Sequence, residues 1–148
     1  MTWKGKKPKN NIQSKARENR YALLFKNCDK SNIKNIMIGH HKDDLIENFF
    51  IRMLRGSGLK GLVSLDTKTF NGKKILLRPL LYQEKKDLTY ISKKVFNFFV
   101  KDPSNNDEKF QRIRVRKLIK EFKKDGMDKS KIFQTIKNLK FSNDVVDF

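Results

Sequence analysis

Between residues 43 and 55 apolar side chains return as adjacent pairs every four positions: Leu45 and Ile46, Phe49 and Phe50, Met53 and Leu54. Pairs at that interval form one wide stripe along an α-helix. Asp44, Glu47, Asn48, Arg52 and Arg55 are left for the opposite face. Asp43 and Asp44 fall in the first turn, where carboxylates suit the helix dipole, and Gly56-Ser57-Gly58 ends the helix. Elsewhere the pattern is shorter. Ile12, Ala16, Leu23 and Leu24 stand near helical spacing, which predicts a helix over 12–27 followed by a turn-like Asn27–Asn32. Asn35-Ile36-Met37-Ile38-Gly39 and Lys74-Ile75-Leu76-Leu77-Arg78 are brief apolar runs, stopped by Gly39 and Pro79, and read as buried strands. Residues 59–72 read as loop, with Asn71-Gly72 a turn.

Further helices are predicted over about 83–98, with Leu88, Ile91, Val95 and Phe98 inward, and over about 107–124 and 129–140, parted near Gly126. Asp102-Pro103-Ser104-Asn105-Asn106 reads as a turn, and residues 1–11 as an irregular lead-in. Strand–helix–strand–helix order argues an α/β layer with a parallel sheet. Two strands make a poor sheet, so the expected architecture is part of a larger α/β domain. Phe96, Phe98 and Phe99 could stack on bases, but packing in the core is the reading preferred here.

The 148 residues suffice for one domain, and a single cysteine, Cys28, excludes a disulfide framework or an intrachain Cys-ligated metal site. No apolar run approaches the roughly 20 residues that span a membrane, and Met1-Thr2-Trp3-Lys4-Gly5 has no apolar region after it, so a cytoplasmic protein with no membrane partner is expected. The net charge is +19, from 35 Lys+Arg against 16 Asp+Glu, which favours a polyanionic partner such as nucleic acid. Most of those basic residues are lysines, the composition an AT-rich genome also produces. The arginines say more, because they cluster at Arg52 and Arg55 and at Arg112, Arg114 and Arg116.

The densest chemistry is Gly39-His40-His41-Lys42-Asp43-Asp44-Leu45-Ile46-Glu47, where a strand ends and a helix begins. Ligands of open α/β sheets bind beyond the carboxyl ends of strands, and a helix N-terminus offers N–H groups to phosphate. Asp44 and Glu47, three apart, share one helical face. Two carboxylates beside two histidines could bind Mg²⁺, hold an ammonium group or act as a base. Against this stands a plainer reading, in which Asp43 caps the helix and Glu47 is a solvated charge.

The same stretch, followed by Arg52-Met53-Leu54-Arg55-Gly56-Ser57-Gly58-Leu59-Lys60-Gly61-Leu62, closely resembles the tRNA(Ile)-lysidine synthases, members of the N-type ATP pyrophosphatases. Ala16-Arg17-Glu18-Asn19-Arg20-Tyr21, Arg78-Pro79-Leu80-Leu81, Asp102-Pro103-Ser104-Asn105 and Phe110-Gln111-Arg112-Ile113-Arg114-Val115-Arg116 continue the likeness in order. The resemblance runs from about residue 10 to 120. It implies a partial Rossmann-like parallel sheet with flanking helices, adenine nucleotide alpha-hydrolase-like, followed by C-terminal helices. Residues 1–124 would be the C-terminal part of the catalytic domain and 125–148 a helical extension.

The implied reaction joins lysine to C2 of the wobble cytidine of tRNA(Ile) and releases pyrophosphate and AMP. Its substrates would be ATP, L-lysine and tRNA(Ile), with Mg²⁺ as the metal, and a homo-oligomer stays open. By motif match, Asp44, Glu47, Arg112 and His40 would be catalytic, and Gly39, His40 and His41 would contact the nucleotide. Arg52, Arg55, Arg114 and Arg116 would meet RNA, and Asp43 is a weak metal candidate. Alternating residues cannot share one helix face, so one arginine of the closing run is expected to reach the site and the others tRNA or solvent.

The sequence departs from the family pattern in several places. No Ser-Gly-Gly-x-Asp-Ser phosphate loop occurs, Asn48 stands in place of Thr, and Ile113 in place of Asn. The family's C-terminal tRNA-binding domains would lie beyond Phe148. The expectation is therefore a chain that begins after the first strands of the domain and is weak or inactive in lysine transfer by itself. The alternatives are a non-catalytic RNA-binding remnant and a tRNA-thiolating relative, the latter disfavoured by the single cysteine.

Overall fold

A computed structural model describes residues 12–100, 107 and 109–146, with side chains from Ser14 onward. The expected turn at 102–106 and the lead-in at 1–11 lie outside the described residues. The elements are α1 (Ile12–Lys30), β1 (Asn35–Met37), α2 (Lys42–Met53), α3 (Leu59–Leu62), β2 (Lys68–Asn71), β3 (Lys74–Leu77), α4 (Lys85–Phe96), α5 (Gln111–Lys124) and α6 (Lys129–Val146). The fold is mixed α/β, with a three-stranded sheet ordered β1-β3-β2. The two expected strands pair parallel, Ile36 opposite Leu76.

The third strand corrects the reading of 59–72 as loop. β2 pairs antiparallel with β3, Phe70 opposite Ile75 and Asn71 opposite Lys74. The expected turn is thus a hairpin of two loop residues, and Gly72 takes the left-handed conformation it needs at φ 56°. β2 carried no apolar alternation because it faces solvent on both sides, with Phe70 70% exposed. The same segment holds a single helical turn, α3.

Two apolar clusters hold the chain together. In one, Leu45, Ile46, Phe49, Phe50 and Ile51 of α2 meet Val115 and Ile119 of α5, Ile136 of α6, and Leu81. The first two pairs of the α2 stripe are therefore buried, as the spacing predicts, while Met53 and Leu54 at its end are exposed. α6 packs on the same cluster as α2 and α5, and Lys140 hydrogen-bonds Asp66 ahead of β2. In the other cluster Cys28 meets Ile36 and Leu76, with Tyr21 and Phe25 alongside. The inward face of α1 is therefore Tyr21, Phe25 and Cys28, at i, i+4 and i+7, and Ala16, Leu23 and Leu24 are exposed. Lys74 closes the end of α1: buried, it donates to the Ile33 carbonyl (2.8 Å) and pairs with Asp29 (2.6 Å).

The inward face expected of the helix at 83–98 is not found. α4 has no buried residue and stops at Phe96, with Asn97 left-handed at φ 57°. Ile91, Val95, Phe96 and Phe98 are each more than half exposed, and Phe99 is exposed as well. The helical spacing of α4 is real, but its apolar side has no cover among the described residues. The preference for core packing of Phe96, Phe98 and Phe99 is thereby overturned.

Candidate functional site

β1 and β3 run side by side and end together, and the chain leaving β1 turns into α2 across Ile38–His41. Ile38 stays attached to the sheet by donating to the Leu77 carbonyl (2.8 Å). Gly39 is exposed, and a Cβ built there would meet no atom within 4 Å, so space stands open above the strand end. α2 starts at Lys42 with extended backbone at His41.

The first turn of α2 is less free for phosphate than an ordinary helix N-terminus. The His41 N–H donates to Asp44 Oδ2 (3.1 Å), and the Lys42 N–H donates to the Gln83 carbonyl (3.0 Å). Asp43 and Asp44 add negative charge at the same place, which repels an anion. Anion-favouring charge comes instead from arginines on other elements.

Asp44 and Glu47 are not on a solvated face. They are 9% and 4% exposed, buried where α2 meets α5. Arg112 Nη1 lies 3.4 Å from Asp44 Oδ1. Arg116 grips Glu47 with two hydrogen bonds, Nε to Oε1 at 2.6 Å and Nη2 to Oε2 at 3.3 Å. That bidentate pairing holds the Arg116 guanidinium above its ordinary pKa. Two arginines of the closing run therefore reach this face rather than one. Residues 112 and 116 are four apart and stack on one side of α5, whereas Arg114 is exposed and donates to the Lys109 carbonyl (3.0 Å).

His40 is half-buried, and its pKa is lowered from 6.5 to about 4. Burial is the largest cause. Asp44 pulls the other way, while Arg78, Arg17 and Arg112 add to the depression. His41 sits beside Asp44 with Nε2 3.5 Å from Oδ2, and its Nδ1 is buried with no partner among the described residues.

Two clefts flank these residues. One, of about 410 Å³, is walled by Arg17, Arg20 and Tyr21 of α1, the chain from Met37 to His40, and Arg112. The other, of about 200 Å³, is lined by His41, Asp43, Glu47 and Arg116 together with Lys85, Lys120 and Lys129.

Arg17 and Arg20 received no role from the sequence, yet they line the cleft with His40. A signal was present: Arg17, Arg20 and Tyr21 lie at i, i+3 and i+4, and the Arg17 guanidinium covers the Tyr21 ring at 5.3 Å. Lys85, Lys120 and Lys129 were also missed, and no local pattern marked them. Arg52 sits at the far end of α2 and Arg55 just beyond it, about 12 and 16 Å along the axis from Asp44 at 1.5 Å per residue. There Arg52 is half-buried, and Arg55 is exposed and donates to Gln111 (2.6 Å).

Asp43 pairs with Lys129 at 2.7 Å. Among the described residues no group of three or more His, Cys, Asp or Glu could hold a metal ion. Among the same residues, no helix is long and apolar enough to cross a membrane.

Comparison with known proteins finds relatives over most of the chain. Residues 2–122 match the PP-loop domain family. The tRNA(Ile)-lysidine synthase of Orientia tsutsugamushi (strain Boryong) is 43% identical over 120 residues, which cover 81% of this chain and 27% of that protein. That of Wolbachia pipientis wMel is 38% identical over 120 residues, 81% of this chain and 28% of that protein. The similarity to the tRNA(Ile)-lysidine synthase of Bradyrhizobium diazoefficiens is 33% over 147 residues, 99% of this chain and 41% of that protein. The chain thus spans between about a quarter and two-fifths of the length of these relatives. The domain match takes in both strands that carry the site, the α2 carboxylates and the α5 arginines, and by it the chain belongs to the PP-loop domain family.

Proposed function

We propose that this chain takes part in lysidine formation: the ATP-dependent ligation of lysine to C2 of the wobble cytidine of tRNA(Ile), in the cytoplasm. The carrying observation is the pair of buried carboxylates on one face of α2, Asp44 and Glu47, each met by an arginine of α5. The names of the relatives supply the substrates. The sheet would be one part of a Rossmann-like nucleotide layer, a reading supported by Met37 of β1, which is 77% exposed.

In the first step the C2 oxygen attacks the α-phosphorus of ATP and pyrophosphate leaves. In the second the lysine amine attacks C2, the C2–O bond breaks, and AMP departs with the oxygen. Lysine arrives as an ammonium, which is no nucleophile. Asp44 and Glu47 supply the negative charge that holds it and the basicity that takes its proton. Negative charge grows on AMP as it leaves, and Arg112 suits it because a guanidinium stays protonated and meets phosphate bidentately. Gly39 leaves room for the nucleotide to approach the backbone, with His40 lining the same cleft and His41 the neighbouring one. Arg52, Arg55, Arg114 and Arg116 are the candidate RNA contacts, with Arg116 also engaged by Glu47.

In the ligand-free site each of the two carboxylates already has an arginine. An arriving ammonium has to compete with Arg112 for Asp44, and a phosphate that draws Arg112 away removes that competition. The test is incorporation of labelled lysine into a tRNA(Ile) transcript with ATP, the Asp44→Asn variant run beside the unaltered chain. Asn keeps nearly the same shape and still hydrogen-bonds, so helix stability should change by under about 1 kcal/mol. Incorporation that Asp44→Asn abolishes supports the reading. Incorporation that Asp44→Asn leaves intact refutes the assignment, and an unaltered chain that neither incorporates nor saturably binds lysine refutes the function.

A further inference from the structure

Arg78 follows β3 and is 5% exposed, an unusual place for a guanidinium. Burial lowers its pKa from the ordinary value, yet an arginine remains charged in a protein. Its hydrogen bonds among the described residues go to neutral acceptors. Nη1 donates to the Asp66 carbonyl (2.7 Å) and to Thr69 Oγ1 (3.0 Å), and Nε donates to His40 Nδ1 (3.1 Å).

The third bond decides the state of the histidine. A guanidinium has five N–H donors and no acceptor. Nδ1 of His40 must therefore accept, and it cannot carry a proton while the bond exists. A neutral imidazole then has its proton on Nε2. The doubly protonated ring is disfavoured twice, by the donor meeting a donor and by the adjacent positive charge.

We propose that Arg78 is a positioning residue that fixes His40 as the neutral Nε2–H tautomer, making it a hydrogen-bond donor to an anionic group in the cleft and not a proton acceptor. Charged groups reach His40 from every side of that cleft: Asp44 on α2, Arg78 behind β3, Arg17 on α1 and Arg112 on α5. Only Asp44 is negative, so the surroundings select an anion and a neutral ring together. The low pKa of His40 is the expected companion of this arrangement. Arg78 is itself held by Asp66 and Thr69, so the orientation of the ring is set through the sheet.

The tautomer stands apart from the lysine-transfer reading. Its consequence for catalysis, that proton removal falls to Asp44 or Glu47, rests on that reading. Nitrogen-15 spectra of the ligand-free chain separate the two, because they need no turnover. The chain has two histidines, and His40→Gln assigns the signals. His40 should show an unprotonated Nδ1 and a protonated Nε2 at neutral pH, unchanged down to about pH 5. A protonated Nδ1 in the unaltered chain overturns the proposal. Arg78→Leu should give mixed tautomers and a titration moved toward the ordinary range near 6.5, whereas Arg78→Lys, which keeps a donor and the charge, should restore the Nε2–H form. Mixed tautomers in Arg78→Lys together with a pure Nε2–H form in Arg78→Leu would show that Arg78 does not set the ring. If Arg78→Leu does not fold, the unaltered chain and Arg78→Lys decide.

Discussion

The Glu47–Arg116 pair offers a measurement in which the two partners are predicted to be unequal. The Glu47 side chain is 5% exposed and that of Arg116 31%. Replacing Glu47 with Met leaves a guanidinium that can turn to water, so the loss approaches that of one charged hydrogen-bonded contact, about 1–2 kcal/mol. Replacing Arg116 with Met keeps much of the stem but leaves a buried carboxylate without its arginine. That uncompensated charge should cost about 3 kcal/mol or more. The double variant replaces both groups by apolar ones and should fall within about 1 kcal/mol of the unaltered protein, giving a coupling of about 3–5 kcal/mol. Urea unfolding followed by far-ultraviolet circular dichroism reads these values from midpoints at constant slope. A Glu47→Met loss equal to or larger than that of Arg116→Met, or a coupling under about 0.5 kcal/mol, would reduce the pair to an ordinary surface contact.

His40 makes stability depend on pH in a defined window. Its folded pKa lies below its unfolded one, so its contribution is complete above 6.5 and is lost as pH falls toward about 4. The full shift corresponds to about 3.4 kcal/mol, and solvent access at a half-buried ring lowers the expectation to about 1–2 kcal/mol. Urea midpoints from pH 7.5 to 4 should show that slope, and a profile identical to that of His40→Gln would sink the idea. Asp66 does not interfere: burial raises its carboxyl, but hydrogen bonds from Lys140 and Thr67 outweigh this and hold it below 3.8, so its loss comes only at lower pH. Binding of tRNA(Ile) should be steeply salt-dependent: with about six phosphates engaged, affinity falls about a thousandfold between roughly 50 and 200 mM salt. A flat response in a filter-binding series would leave the +19 without a polyanionic partner.

The parts of the fold legible in the sequence are those in which one face of an element is dry. α2 announced itself because Leu45, Ile46, Phe49 and Phe50 share a stripe that α5 and α6 cover. β1 and β3 were visible as short apolar runs because they pack beside Cys28, Tyr21 and Phe25. β2 was invisible because its backbone pairs with β3 while its side chains gain nothing from burial. Only Asn71-Gly72 hinted at it, and a turn signal needs a recognised strand on both sides before it reads as a hairpin. α4 failed in the opposite sense: its spacing promised a buried face where the described residues provide no cover.

At the site, the sequence brought out the residue types and missed their pairing. Asp44 and Glu47 share a face by simple i, i+3 geometry, and Arg112 and Arg116 share one by i, i+4, so each couple is readable alone. That the two faces meet depends on how α5 lies across α2, a distance of about 70 residues in sequence that no local pattern encodes. The expectation that alternating arginines must scatter overlooked the fact that first and third positions of such a run fall on one side of a helix. Arg78 shows the same limit more sharply. Within its own strand it is a polar residue closing an apolar run before proline. It acquires meaning only because β3 lies parallel to β1, which brings its guanidinium beside the histidine that follows β1. Parallel pairing carries two strand ends to the same edge, and there a charge from one segment can fix the proton of another.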